Sequence, residues 1–91
     1  MRVGEGTVAA VLPAALLADL RAAFGREVQA RLPHLRAVTD VEAAQRDAHT
    51  LASGAWVIGE PDIARLARAV ESQLPEGPVA ELVEALEGYV A

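Results

Sequence analysis

The stretch Ala48-His49-Thr50-Leu51-Ala52-Ser53-Gly54-Ala55-Trp56-Val57-Ile58-Gly59 decides the fold, because its apolar residues recur at the spacing of a helix that buries one side. At ~100° per residue, Ala44, Ala48, Leu51, Ala55 and Ile58 fall within about 40° of one direction. That pattern is a seam packed against neighbouring helices. His49 lies roughly 140° from the centre of the seam, and Ser53, its i+4 neighbour, is too small to cover it. The imidazole is therefore expected to face water. Trp56 follows His49 by one heptad, about 20° away in projection, so the one tryptophan of the chain is expected on the same outward face.

Outward from this helix, the boundaries are legible. Thr39-Asp40-Val41-Glu42 has the form of a capping box, with Thr39 accepting a backbone N–H and Glu42 reaching back. Gly59 suits the position just past a helix end and Pro61 the start of the next helix, so the turn is tight and the two helices run antiparallel. Upstream, Leu16, Leu17, Leu20, Phe24, Val28 and Leu35 form one apolar face from Pro13 to about Arg36, with Pro13 at the first helical position. Pro33 is expected to kink that helix or close its last turn. Downstream, Ile63, Leu66, Ala67, Val70 and Leu74 form a third stripe, and Val79, Leu82, Val83, Leu86 and Val90 a fourth. Four stripes with short connections predict an all-α fold, an antiparallel up-down-up-down four-helix bundle. Residues 1–6 read as a frayed lead-in and Thr7–Val11 as a short N-terminal helix or cover, with the whole of 1–91 a single domain.

Composition agrees with helices. The chain has 91 residues, 53% of them apolar but with one Trp, one Tyr and one Phe, so its core must be built from Ala, Leu and Val. A domain this short buries about 60–65% of the surface its unfolded chain exposes. The formal charge of −5, from eight arginines, no lysine and thirteen acidic residues, speaks against nucleic acid or an anionic membrane as a partner and for another protein. With no cysteine, disulfides and thiolate zinc sites are excluded. No segment approaches the ~20 apolar residues of a membrane span and no signal-peptide pattern is present, so the cytoplasm is the expected compartment.

Ala48-His49-Thr50-Leu51, followed by small residues, Ile58 and Gly59, with Leu66 and Glu71 further along, resembles the histidine-containing phosphotransfer (HPt) domain of bacterial multistep phosphorelays. Asp40-Val41-Glu42-Ala43-Ala44 and Ile63 to Glu71 fit as well, so the resemblance covers about residues 16–72. The usual motif reads His-x-Leu-Lys-Gly-Ser. This chain has Ala52 where the lysine belongs and Ser53 where the glycine belongs.

The resemblance implies that His49 accepts a phosphoryl group from an aspartyl phosphate on a receiver domain and passes it to another receiver. Such a protein is a phosphoryl carrier without catalytic machinery of its own. Response-regulator receivers, and a hybrid histidine kinase, are its implied partners. The receiver brings the Mg²⁺, and this chain needs no cofactor or metal. The chemistry is consistent: an exposed imidazole is mostly neutral in the cytoplasm, and its unprotonated nitrogen can attack phosphorus without a neighbouring base. Arg46, three residues before His49, shares its face and is expected to replace the lysine as phosphoryl contact. Ala52 is read as a free choice, which Ala52→Lys would reverse with faster transfer. Ser53 and Gly54 are there for smallness, Ser53 so that a receiver can approach. Trp56, with Val57 beside it, is read as a docking anchor whose loss costs affinity but little stability. His34, near a helix end and outside the motif, is read as solvated surface. Because the four stripes already close a bundle, a monomer is expected. The other reading open to the sequence is a degenerate interaction module that binds a receiver or kinase without carrying phosphate.

Overall fold

The computed structural model describes residues 11–74 and 76–91. Four helices follow one another as α1 (Ala14–Arg36), α2 (Val41–Val57), α3 (Pro61–Gln73) and α4 (Val79–Val90), with no strand among the described residues. Helices consecutive in the chain pack on one another and α4 closes back on α1. The result is the antiparallel four-helix bundle that the stripes predict. The expected N-terminal cover through Val11 falls almost wholly outside the described residues.

Local chemistry sets the ends of the helices. At the end of α2, Gly59 takes φ 79°, a left-handed conformation that glycine adopts without a Cβ clash. Glu60 N–H then donates to Ala55 O at 2.8 Å and Gly59 N–H to Trp56 O at 3.3 Å, the paired bonds of a Schellman stop. Pro61 begins α3, where its missing N–H costs nothing. The N-terminus of α2 differs from expectation. Asp40, and not Thr39, is the cap, its side chain accepting from Ala43 N–H at 3.2 Å. Both residue types cap well, and the chain enters one position later than the capping box requires. Pro13 likewise stands at the N-cap of α1, one residue before the first helical position. Pro33 lies in the last turn of α1, which continues to Arg36.

The core follows the four stripes. Phe24, Val28, Leu32 and Leu35 of α1 meet Leu51 and Ile58 at α2, Ile63 and Val70 of α3, and Leu82 and Leu86 of α4, all buried. Burying each such side chain is worth about 1.5–3 kcal/mol. Leu16 departs from its stripe and is 45% exposed, while its neighbours Leu17 and Leu20 pack against the core. Ala44, Ala48, Ala52 and Ala55 on α2 and Ala64 and Ala67 on α3 are also buried. Small residues on both sides let these two helices approach closely, so the α2–α3 hairpin is the most intimate part of the bundle. Gly54 makes the corresponding room for α1: a Cβ there would lie 2.8 Å from Phe24 Cδ1. The Phe24 ring is held in turn edge-on to Tyr89, with centroids 5.2 Å apart.

Candidate functional site

On α2 the seam residues Ala44, Ala48, Leu51, Ala55 and Ile58 are all buried, and His49 leaves 63% of its side chain in solvent. The histidine is not alone. Its Nδ1 lies 2.9 Å from Glu71 Oε2 on α3. A carboxylate can only accept, so Nδ1 carries the proton of the neutral ring and Nε2 presents its lone pair to solvent. Gln45, one turn earlier on α2, donates to the Glu71 backbone carbonyl at 3.3 Å and fixes the same register from below. The hairpin brings this about: His49 and Glu71 are equally far along the chain from Glu60, the last residue before α3. In the sequence Glu71 stands only as part of a resemblance, and nothing there gives His49 a partner. The short turn at Gly59 holds the missing signal.

A groove of about 480 Å³ runs beside the imidazole, lined by Glu42, Gln45, Arg46, His49, Thr50 and Glu71. Arg46 is exposed and shares this groove, as its spacing predicts, and makes no ion pair among the described residues. Thr50 is shared with a second, more apolar groove between α1 and α2 of about 360 Å³, bordered by Leu20, Phe24, Ser53, Gly54 and Val57. Ser53 is exposed there, and Val57 is 36% exposed. Bulk at Ser53 would fill this floor.

Two expectations are corrected. Ala52 is 1% exposed and belongs to the core that faces α3, so it does not line the site and is not a free choice. Its position on the rim of the seam is sealed by the close approach of α3, which one helix projected alone does not contain. Ala52→Lys is expected to cost about 1–3 kcal/mol by overpacking, seen as a lower melting temperature, rather than simply to speed transfer. Trp56 is only partly exposed and packs against the core, so it is not a freestanding anchor. Trp56→Ala should cost about 1–3 kcal/mol of stability, a fraction of the 3–5 of a fully buried aromatic, and thermal unfolding measures it.

His34 has a geometry that only the structure discloses. It too is 63% exposed, with Nδ1 3.1 Å from Asp47 Oδ2. Asp47 is itself shared with Arg31, whose Nε lies 3.4 Å from Oδ1. The surroundings separate the two histidines. The cleft at His34 has about 170 Å³ and holds Pro33, Ala37, Thr39 and Asp40, with no arginine, whereas the His49 groove is larger and contains Arg46.

No group of His, Asp and Glu suited to a metal ion occurs among the described residues, and none of their helices is long and apolar enough to cross a membrane. A helical bundle in which an exposed histidine, held at Nδ1 by a carboxylate, stands beside an open groove with an arginine unpaired among the described residues defines a surface that presents a nucleophile to a partner. The family comparison agrees: the Hpt domain model matches residues 14–91, and the chain belongs to the Hpt family, the domains of histidine phosphotransfer in phosphorelays. No curated protein matches significantly, and no solved structure does.

Proposed function

We propose that this protein is a phosphorelay intermediate in which His49 is the phosphoacceptor. The single observation that carries the reading is the His49–Glu71 pair beside a groove that contains Arg46, because in the neutral ring it assigns the proton to Nδ1 and leaves the Nε2 lone pair free on an exposed side chain. The Nε2 lone pair forms the N–P bond as the P–O bond of a receiver's aspartyl phosphate breaks and the bonding pair leaves with the receiver's carboxylate. The ring gains positive charge as that bond forms. Glu71, accepting from Nδ1–H, stabilises the charge and holds the plane of the ring. Transfer onward is the reverse step on a second receiver, with Mg²⁺ on the receiver. The apolar groove between α1 and α2, with Leu20, Ser53 and Val57, supports docking of a receiver within reach of His49. The exposed edge of Trp56 extends that surface on the α3 side. We place the protein in the cytoplasm as a monomer, with receivers and a hybrid kinase as partners.

Incubation with a panel of phosphorylated receiver domains from the same genome tests the reading. Label should pass to the protein in an acid-labile, base-stable form, the signature of phosphohistidine. Binding of receivers with no label on the protein would instead make it an interaction module. Glu71 gives a finer test. A charge-assisted hydrogen bond is worth ~1.5–3 kcal/mol when sheltered, and partial exposure at Glu71 reduces this to about 1 kcal/mol. Glu71→Ala should therefore slow acceptance about fivefold, with Glu71→Gln in between because it keeps the acceptor and loses the charge. Stopped-flow transfer from a receiver measures both.

A further inference from the structure

A phosphoryl group on His49 carries up to two negative charges, and the position that ordinarily brings a lysine beside it holds a buried alanine, 1% exposed. The α2–α3 register shows what stands there instead. His49 lies opposite Glu71, and three residues further along each antiparallel helix Ala52 comes opposite Arg68. Arg68 is exposed and lies ~4.5 Å along α3 from Glu71, about 60° from it in helical projection. Arg46 stands ~4.5 Å along α2 from His49 on the opposite side, in the His49 groove. Most of the other arginines are already engaged. Arg31, Arg36 and Arg65 are each engaged with carboxylates, and Arg21 donates to the Ile58 carbonyl. Arg46 and Arg68 have no such partner among the described residues; Arg26 has none either, but it lies on α1 beside Tyr89, outside the His49 groove. Two unengaged guanidinium groups therefore flank one histidine in a chain whose formal charge is −5.

We propose that Arg68, reaching across from α3, takes the place of the missing lysine, and that Arg46 and Arg68 form a clamp on the phosphoryl oxygens of phosphorylated His49. The proposal rests on His49 being the acceptor. A guanidinium offers N–H donors in a fork that fits a phosphoryl group. From two sides it can engage different oxygens, which one lysine does not. Moving the charge from position 52 to α3 also leaves the alanine seam closed.

The test needs no receiver. Phosphoramidate is a small phosphoryl donor: the imidazole Nε2 forms the N–P bond as the donor's P–N bond breaks and ammonia leaves with the bonding pair. The product is titrated by ³¹P NMR to find the pH at which the phosphoryl group loses its last proton. Nearby cations favour the dianion, so Arg46→Gln and Arg68→Gln should each raise that midpoint by about 0.2–0.7 pH, the size of an exposed charge pair. The double variant should raise it by about the sum, and Arg68→Lys should return most of the effect. Midpoints equal to the unaltered protein's, or an equal change in the distant control Arg26→Gln, would overturn the clamp and leave the acceptor intact. Phosphate on a residue other than His49 would overturn the acceptor reading itself and the clamp with it.

Discussion

His49→Gln is expected to abolish acceptance of phosphate while leaving helix content and melting temperature essentially unchanged. The side chain is 63% exposed and lies outside the buried seam, so its removal opens no cavity and strands no buried group. An exposed change of this kind usually stays within ±0.5 kcal/mol. Glutamine retains polarity and can donate to Glu71, yet its amide nitrogen has no available lone pair with which to attack phosphorus. Circular dichroism and transfer from a labelled receiver, measured on the same preparation, separate the two effects. Residual labelling at the full rate would locate the acceptor elsewhere, and His34→Gln would then be the variant that stops it.

Two residues further on, Leu51→Ala should do the reverse. Leu51 is fully buried, at 0% exposure, and truncating a buried leucine costs about 2–5 kcal/mol through lost transfer energy and the cavity left behind. Small domains have only ~5–15 kcal/mol to lose, and near this size each kcal/mol shifts the midpoint by roughly 4–8 °C. A fall in melting temperature of about 8–40 °C is expected. At temperatures where the variant is still folded, phosphate acceptance by His49 should be close to normal. A helix that carries the acceptor on one face and the core on the other predicts this pair of opposite outcomes. A Leu51→Ala protein with an unchanged melting temperature would mean that α2 does not pack as described.

Such opposition is legible in the amino-acid sequence, since a single helix and its period suffice to place His49 opposite Leu51. The stop at Gly59 and the start at Pro61 are legible for the same reason, being backbone chemistry of neighbouring residues. What a projection of one helix omits is the depth to which its neighbour approaches. Ala52 lies on the rim of the seam, and it is buried because α3 also carries alanines at the contact, so the lysine position is closed here. Trp56 sits on the histidine's flank as its spacing predicts, but its ring is large enough to lean back onto the core, and size is invisible to an angle. Placing Glu71 requires combining two local facts, the tight turn and the equal distances to either side of it. Each of these is a property of a pair of helices.

Localising the phosphate on the wild-type chain tests the central claim most directly. After transfer from a phosphorylated receiver, the protein is digested at neutral or alkaline pH and the phosphopeptide is sequenced by tandem mass spectrometry. The expected result is a single acid-labile phosphate on His49, carried by the peptide Asp47 to Arg65. Phosphate on His34, or an acid-stable phosphate on Thr50 or Ser53, would contradict it.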